Sequence, residues 1–330
     1  MEVKPEQACA IRACTIEAPC KINLHLKIRE RRPDGFHTLE SLFATLAHGD
    51  TLRFECSGEK GDCHLFMTGQ AIPAEANLVL RAVSLFRERT GFMDGLRVRL
   101  DKRIPIGAGL GGGSSDAAST LLALNSLAGG QSGLLAFEEL RELAMSLGSD
   151  VPFFLTGGTA FVSGRGECIE PVESPQGLWV VLVKPPFSSD TARAFRLLDE
   201  AREHGMELSQ KTLSKEAVLQ KGLSKKGLIQ ALKADPETWP FYNDFLPVFL
   251  CFNSSLNEEQ ELQSSLYKAI LKELQEKGAS FTGLSGSGSC CFGIFKAAET
   301  AKRAEKELNI GGNYVRLTFF LARNTGMVLE

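Results

Sequence analysis

Ile104-Pro105-Ile106-Gly107-Ala108-Gly109-Leu110-Gly111-Gly112-Gly113-Ser114-Ser115, running on into Asp116-Ala117-Ala118-Ser119, places five glycines in the seven residues 107–113, directly ahead of a helix-forming run. So much glycine costs a simple connector a great deal of chain entropy. It is useful where backbone N–H groups must converge on an anion and a helix N-terminus favours negative charge. Ser114 and Ser115 add hydroxyls that can bond phosphate oxygens or reach Mg²⁺. The stretch is read as a phosphate-binding loop. Gly107-x-Gly109-x-x-Gly112 also fits a dinucleotide fingerprint, a weak signal alone. The preceding Leu96-Arg97-Val98-Arg99-Leu100 alternates like a one-sided antiparallel strand, and a second helix, not a strand, follows the first. No lysine follows the last glycine, so a Walker A loop is excluded as well.

Outward from the loop, the pattern predicts a helix from Asp116 to about Leu127, another over about Leu134–Leu147, and a short one opened by Ser149-Asp150-Val151-Pro152, where Asp150 suits an N-cap. Asn77 caps a helix to about Thr90, closed by Gly91. Residues 15–28 alternate with period two. Ile16, Ala18, Cys20, Ile22, Leu24, Leu26 and Ile28 share one face, while Glu17, Lys21, Asn23, His25 and Lys27 share the other, which reads as solvated. Phe36–Leu46 and Thr51–Cys56 read as two strands, and Thr159–Ser163 with Cys168–Val172 as a hairpin. Pro171–Gly177 is the expected boundary between a first domain, 1–173, and a second, 174–330. The second half mixes strands at 178–184, 280–284, 290–295 and 314–322 with helices at 191–204, 258–277 and 297–308. On the long helix Leu262, Leu266, Ile270 and Leu274 recur every four residues, and the lysine-rich residues 205–235 read as a solvated helical appendage.

The 330 residues are 43% hydrophobic and 23% charged, which excludes a disordered or fibrous chain. A net charge of −3 advertises no nucleic-acid or anionic-membrane surface, so neither partner is expected. Nine cysteines form no C-x-x-C pair and no zinc spacing, which suits reduced, buried thiols and no structural metal. No apolar run approaches the roughly 18 residues of a membrane span, and Met1–Cys14 lacks a secretory pattern. A soluble, cytoplasmic protein is expected.

The loop Pro105–Ser115 resembles that of the GHMP kinases, and four further segments agree in order and spacing. These are Ala18-Pro19-Cys20-Lys21-Ile22-Asn23-Leu24, Asp34-Gly35-Phe36-His37-Thr38-Leu39, Gly148-Ser149-Asp150-Val151-Pro152 and Gly283-Leu284-Ser285-Gly286-Ser287-Gly288. Cys20 and Phe36 depart from the commoner Ala and Tyr. The resemblance implies a two-domain α+β GHMP kinase fold with the active site in the interdomain cleft. It also implies ATP as phosphoryl donor, Mg²⁺, and a small-molecule acceptor, a tertiary alcohol linked to a cytidyl diphosphate in isoprenoid precursor synthesis. The alternatives are a homoserine or mevalonate kinase-like member and a non-catalytic nucleotide-binding protein.

Residue by residue, the resemblance implies that Pro105, Ile106, Gly107, Ala108, Gly109, Leu110, Gly111, Gly112, Gly113, Ser114 and Ser115 bind ATP. It makes Asp150 the general base and Lys21 its partner, where the residues alone allow a helix cap and a solvated strand face. Asn23 orients the acceptor or the pair. Phe36 and Phe195 sandwich a cytosine that His37 reads, although Phe195 also suits a core position and His37 a surface one. Gly286 and Gly288 close over phosphates or form a plain turn pair. Asn243-Asp244 resembles a family Asn-Asp pair with a supporting role.

Overall fold

A computed structural model describes residues 13–57, 60–70, 72–129, 133–204, 224–251, 258–308, 312–323 and 327–329, and every statement below concerns these. The elements run β1 (Ala13–Arg31), β2 (His37–Ser57), β3 (Cys63–Thr68), α1 (Leu78–Thr90), β4 (Gly95–Asp101), α2 (Gly112–Gly129), α3 (Phe137–Leu147), α4 (Val151–Phe154), β5 (Thr159–Gly164), β6 (Cys168–Val172), β7 (Trp179–Lys184), α5 (Thr191–Glu203), α6 (Lys225–Ala231), α7 (Phe245–Cys251), α8 (Glu258–Glu276), β8 (Phe281–Leu284), β9 (Cys291–Phe295), α9 (Ala298–Leu308), β10 (Tyr314–Phe319) and β11 (Met327–Leu329). This is an α+β fold with two sheets. Strands β11-β1-β2-β4-β3, with β5 and β6 joined to β2, make a seven-stranded sheet. Strands β10-β7-β9-β8 make the second.

The expected strands at 36–46 and 51–56 are one 21-residue strand, β2, antiparallel to β1 along nearly its whole length. The β1–β2 register shifts between Pro19 and Lys21 and again between Asn23 and His25. Such irregularities re-aim side chains locally, and these two bracket Lys21 and Asn23. The polar face of β1 is solvated only towards its ends, where Glu17 is exposed and Lys27 half-buried; in the middle Lys21, Asn23 and His25 are 4%, 2% and 2% exposed, against the alternation's suggestion. Distant chain covers them. Tyr242 and Ser285 hydrogen-bond His25 and Asn23, and Leu26 bridges to Asn243.

β1 also threads all three apolar clusters. Cys14, Ile16 and Ala18 pack with α1, α2 and α3; Cys20, Ile22 and Leu24 with Trp239, Phe241 and Phe292; Leu26 and Ile28 with α5, α7 and α8. Cys20 is fully buried, as its alternation phase required.

Two helical expectations change. Residues 205–223 lie outside those described, but 224–235 is no solvated appendage. Leu228 and Leu232 of that stretch are buried in the cluster with Trp239, and Lys225 and Lys233 pair with Glu170 and Glu173. On α8, Leu262 is 61% exposed while Tyr267, Ile270, Leu271 and Leu274 are buried. A spacing of four drifts around a helix of 3.6 residues per turn, so the apolar stripe leaves Leu262 behind.

Candidate active site

The glycine loop leaves β4 and ends in the first turn of α2. Gly107, Gly109 and Gly111 adopt φ of +65°, +72° and +70°, the left-handed region that disfavours other residues. A Cβ on Gly109 would lie 2.1 Å from the Ser285 carbonyl oxygen, and one on Gly111 2.8 Å from the Phe154 ring and 3.1 Å from Lys21 Cγ. Four successive carbonyls are tied back into the protein. Gly107 O accepts from Ser189 N–H (3.0 Å), Ala108 O from Cys290 N–H (3.1 Å) and Leu110 O from Lys21 N–H (2.9 Å). Gly109 O accepts from Ser285 Oγ (2.8 Å). With its carbonyl side consumed, such a loop is suited to offer its N–H side to an anion.

Beneath the loop sits a buried ion triad. Lys102 Nζ donates to Asp50 (2.5 Å) and to Asp116 (2.7 Å), while the other Asp50 oxygen accepts from the N–H groups of Arg103 and Ile104 and so fixes the entry to the loop. Two carboxylates share one ammonium. Burial, with the Asp50 charge adding to it against the pull of Lys102, pushes the Asp116 carboxyl up to about 7. Asp116 Oδ1 and the buried Ser115 hydroxyl have no hydrogen-bond partner. A cleft of about 400 Å³ opens over the loop, bordered by Ile72, Asn77, Leu78, Lys102 and Ile106.

Lys21 and Asp150 meet at the edge of the loop, with Nζ 3.4 Å from Oδ2. Lys21 Nζ also donates to Asn23 Oδ1 (2.6 Å) and lies 4.6 Å from the Phe43 ring centroid. Asp150 occupies the N-cap position of α4 but makes no side-chain cap hydrogen bond. The Asn23 amide donates to Ser41 Oγ (2.9 Å), which donates in turn to the His25 carbonyl (2.5 Å). Asn23 is thereby locked with its oxygen toward Lys21.

The second glycine loop closes this corner. Gly286 faces Gly109 and Asn23 Oδ1, whereas the open side of Gly288 faces Tyr267 Oη, toward the core of the second sheet. The Asn243 amide donates to the carbonyls of Leu284 and Gly286 (2.8 Å each), and Asp244 accepts from Ile28 N–H (2.7 Å). This staples the loop to β1 and gives the Asn-Asp pair its supporting role. Burial raises the Asp244 carboxyl to about 6.

Phe36, 51% exposed, carries the Arg165 guanidinium 3.9 Å from its ring centroid. The ring against Phe195 is not Phe36 but His37, stacked at 5.0 Å and 20°. His37 Nε2 is 2.8 Å from Asp199 Oδ1. Sequence reasoning missed Ser41, Asp50, Lys102, Arg165 and Asp199. Asp199 was signalled, because it follows Phe195 by one helical turn on the same face of α5. Among the described residues no group of three or more His, Cys, Asp or Glu side chains could hold a metal by itself.

Residues 77–158 match the model of the GHMP kinases N terminal domain, and 249–313 that of the GHMP kinases C terminal. A 4-diphosphocytidyl-2-C-methyl-D-erythritol kinase of Treponema pallidum is 35% identical over 298 residues, 90% of this chain and 95% of that protein. The chloroplastic kinase of the same name from Oryza sativa is 40% identical over 232 residues, 69% of this chain, and the match spans 56% of the plant protein. A solved 4-(cytidine 5'-diphospho)-2C-methyl-D-erythritol kinase superposes with a TM-score of 0.69 at 31% identity, over 92% of this chain and 99% of that one. A homoserine kinase from Cytophaga hutchinsonii shares the fold at 17% identity, with a TM-score of 0.63 over the whole of both chains.

Proposed function

This chain belongs to the GHMP kinase family, and on that premise we propose that Lys21 and Asp150 activate an acceptor hydroxyl beside an ATP held by residues 105–115. The protein is an ATP-dependent small-molecule kinase that phosphorylates the tertiary 2-hydroxyl of 4-diphosphocytidyl-2-C-methyl-D-erythritol, a step toward isoprenoid precursors. The observation that carries the catalytic assignment is adjacency. The loop suited to phosphate binding accepts a hydrogen bond from the backbone of Lys21, and its Gly111 lies against the Lys21 side chain, whose ammonium contacts Asp150.

Asp150 takes the proton as the acceptor oxygen attacks the γ-phosphorus, the bond to the bridging oxygen breaks, and ADP departs. A tertiary alcohol is a reluctant nucleophile, so a carboxylate within hydrogen-bond reach is apt. The Lys21 ammonium keeps that carboxylate ionised and favours the charge developing on the alkoxide and phosphoryl oxygens. Asn23, locked by Ser41, holds Lys21 in place. Most of the rate then comes from positioning and electrostatics.

The unpartnered Ser115 hydroxyl and Asp116 Oδ1 at the start of α2 are hard oxygen donors that suit Mg²⁺, which takes one or two protein ligands and completes its shell from phosphates and water. When bound, that ion neutralises phosphate charge. The adenosine lies in the cleft beside Asn77 and Leu78. Phe36, His37 and Phe195 take the cytosine, with His37 standing beside Phe195 rather than across the base from it. Gly286 and Gly288 shape the floor near the acceptor diphosphate.

We assign a first domain to 1–173 and a second to 174–330, with β11 crossing back to the first sheet. No helix among the described residues is long and apolar enough to cross a membrane; the enzyme is proposed to work in the cytoplasm on this small molecule, without nucleic-acid or membrane partners. Incubation with ATP and Mg²⁺ and a panel of acceptors, read by ADP release, tests the function. Turnover confined to the cytidyl acceptor is expected; preference for homoserine or mevalonate would overturn it.

A further inference from the structure

Two residues of α5, one turn apart, grip the same imidazole. Phe195 stacks on the face of His37 at 5.0 Å, and Asp199 Oδ1 sits 2.8 Å from its Nε2. The His37 side chain is 6% exposed and that of Asp199 30%, so the contact is largely shielded from competing water. A carboxylate only accepts hydrogen bonds. The proton of a neutral His37 must therefore sit on Nε2, which leaves Nδ1 a bare acceptor. No described side chain takes up Nδ1.

We propose that Asp199 is a positioning residue for nucleobase choice, fixing the His37 tautomer so that Nδ1 accepts from the exocyclic amino group of cytosine. Uracil carries an oxygen at the same position. Two acceptors would then face one another, and the base would be rejected by an unpaired, partly buried edge. A half-turn of the ring would put Cδ2–H where Nδ1 stands and would break the Asp199 contact, so that contact also fixes which edge of the imidazole is presented, while Phe195 sets the plane of the ring. The same logic operates where a buried carboxylate sets a catalytic histidine's tautomer and its amide replacement disturbs it. This inference rests on the cytidine-pocket reading given above, and the experiment separates the two.

The variants are Asp199→Asn, Asp199→Ala, Asp199→Glu and His37→Ala. The substrates are the cytidine diphosphate-linked acceptor and its uridine diphosphate-linked analogue, each varied at saturating ATP. Asp199→Asn and Asp199→Ala should lower the cytidyl-over-uridyl ratio of kcat/KM by about 3- to 10-fold, the worth of one net neutral hydrogen bond. KM for ATP and kcat should stay within about twofold, and Asp199→Glu should recover part of the ratio. Nitrogen NMR of ring-labelled protein should show the Nε2–H form of His37 in the parent and a mixture in Asp199→Ala. An unchanged ratio in Asp199→Asn and Asp199→Ala, with His37→Ala still raising KM for the cytidyl acceptor, overturns the tautomer assignment and leaves the pocket standing. A His37→Ala enzyme with unaltered acceptor KM overturns both.

Discussion

Replacing Asp150 with asparagine removes one charge at constant volume, and the structure bounds both of its consequences. Asp150 is a third exposed, and its contact with Lys21 is 3.4 Å. A pair so placed is worth roughly 0–1 kcal/mol of stability. Lys21 keeps Asn23 at 2.6 Å and the Phe43 ring, and α4 loses no cap bond because none is made. At about 2–4 °C per kcal/mol the thermal midpoint should fall by no more than about 4 °C. Loss of a general base costs about 10²- to 10⁴-fold in kcat, or ~2.7–5.4 kcal/mol of barrier. Stability and turnover therefore part company widely. The assay is ADP release at saturating ATP, Mg²⁺ and acceptor, beside calorimetric ATP binding and a melting curve. The expected variant is folded, binds ATP within about threefold of the parent, and turns over at least ~10² times more slowly. Turnover within threefold of the parent would refute Asp150 as the base.

Gly111→Val should abolish measurable ATP binding in a protein that still folds, because φ of +70° and a Cβ 2.8 Å from the Phe154 ring force the loop to move; isothermal titration decides, and unchanged affinity would put the nucleotide elsewhere. Phe36→Ala should raise KM for the acceptor by about 3- to 10-fold through a lost stacking face worth about 0.5–1.5 kcal/mol. Phe36→Tyr should be nearly silent in the same steady-state kinetics, since a half-exposed ring can turn its new hydroxyl to water. Asp116 titrates in the folded state near 7 against an ordinary 3.8. Below about 4 it is protonated in both states. From there to about 7 the folded state holds the extra proton, so stability is lost as pH rises through that window. Asp116→Asn has no proton to lose, and its melting temperature relative to the parent should climb between pH 5 and pH 8; a constant difference would show that Asp116 is ionised throughout.

Parts of this site declare themselves in the sequence because they are backbone demands. The left-handed conformations of Gly107, Gly109 and Gly111 can be anticipated from composition alone, and so can the caps Asn77 and Gly91, which form as expected. Lys21 and Asn23 are different. Period two gives their shared face correctly, but whether that face is wet depends on Tyr242, Asn243 and Ser285, more than 200 residues away, and no local pattern encodes their arrival. Asp150 looked like a cap because its neighbours are those of a helix start, yet its side chain is drawn to Lys21 by a contact across 129 residues. The grip of Asp199 on His37 joins two elements 162 residues apart and leaves only the one-turn interval from Phe195 as its trace. Residues 225–235 misled by composition: lysines at the edges hid Leu228 and Leu232, which do the packing.

β1 runs through every apolar cluster of the molecule, and its outer edge is closed by β11 through pairs such as Cys14 with Leu329. That arrangement carries a kinetic cost. A strand near residue 20 cannot complete its packing until segments beyond residue 290 exist and have folded back, so the mean sequence separation of its contacts is large and folding is slowed accordingly. During synthesis Lys21 waits on an unfinished sheet with an apolar face open to solvent, the condition in which nascent chains aggregate or recruit chaperones. Once the sheet closes, the same thread works the other way. Neither half can loosen without disturbing the strand both share, which ties the integrity of the glycine loop to that of both sheets.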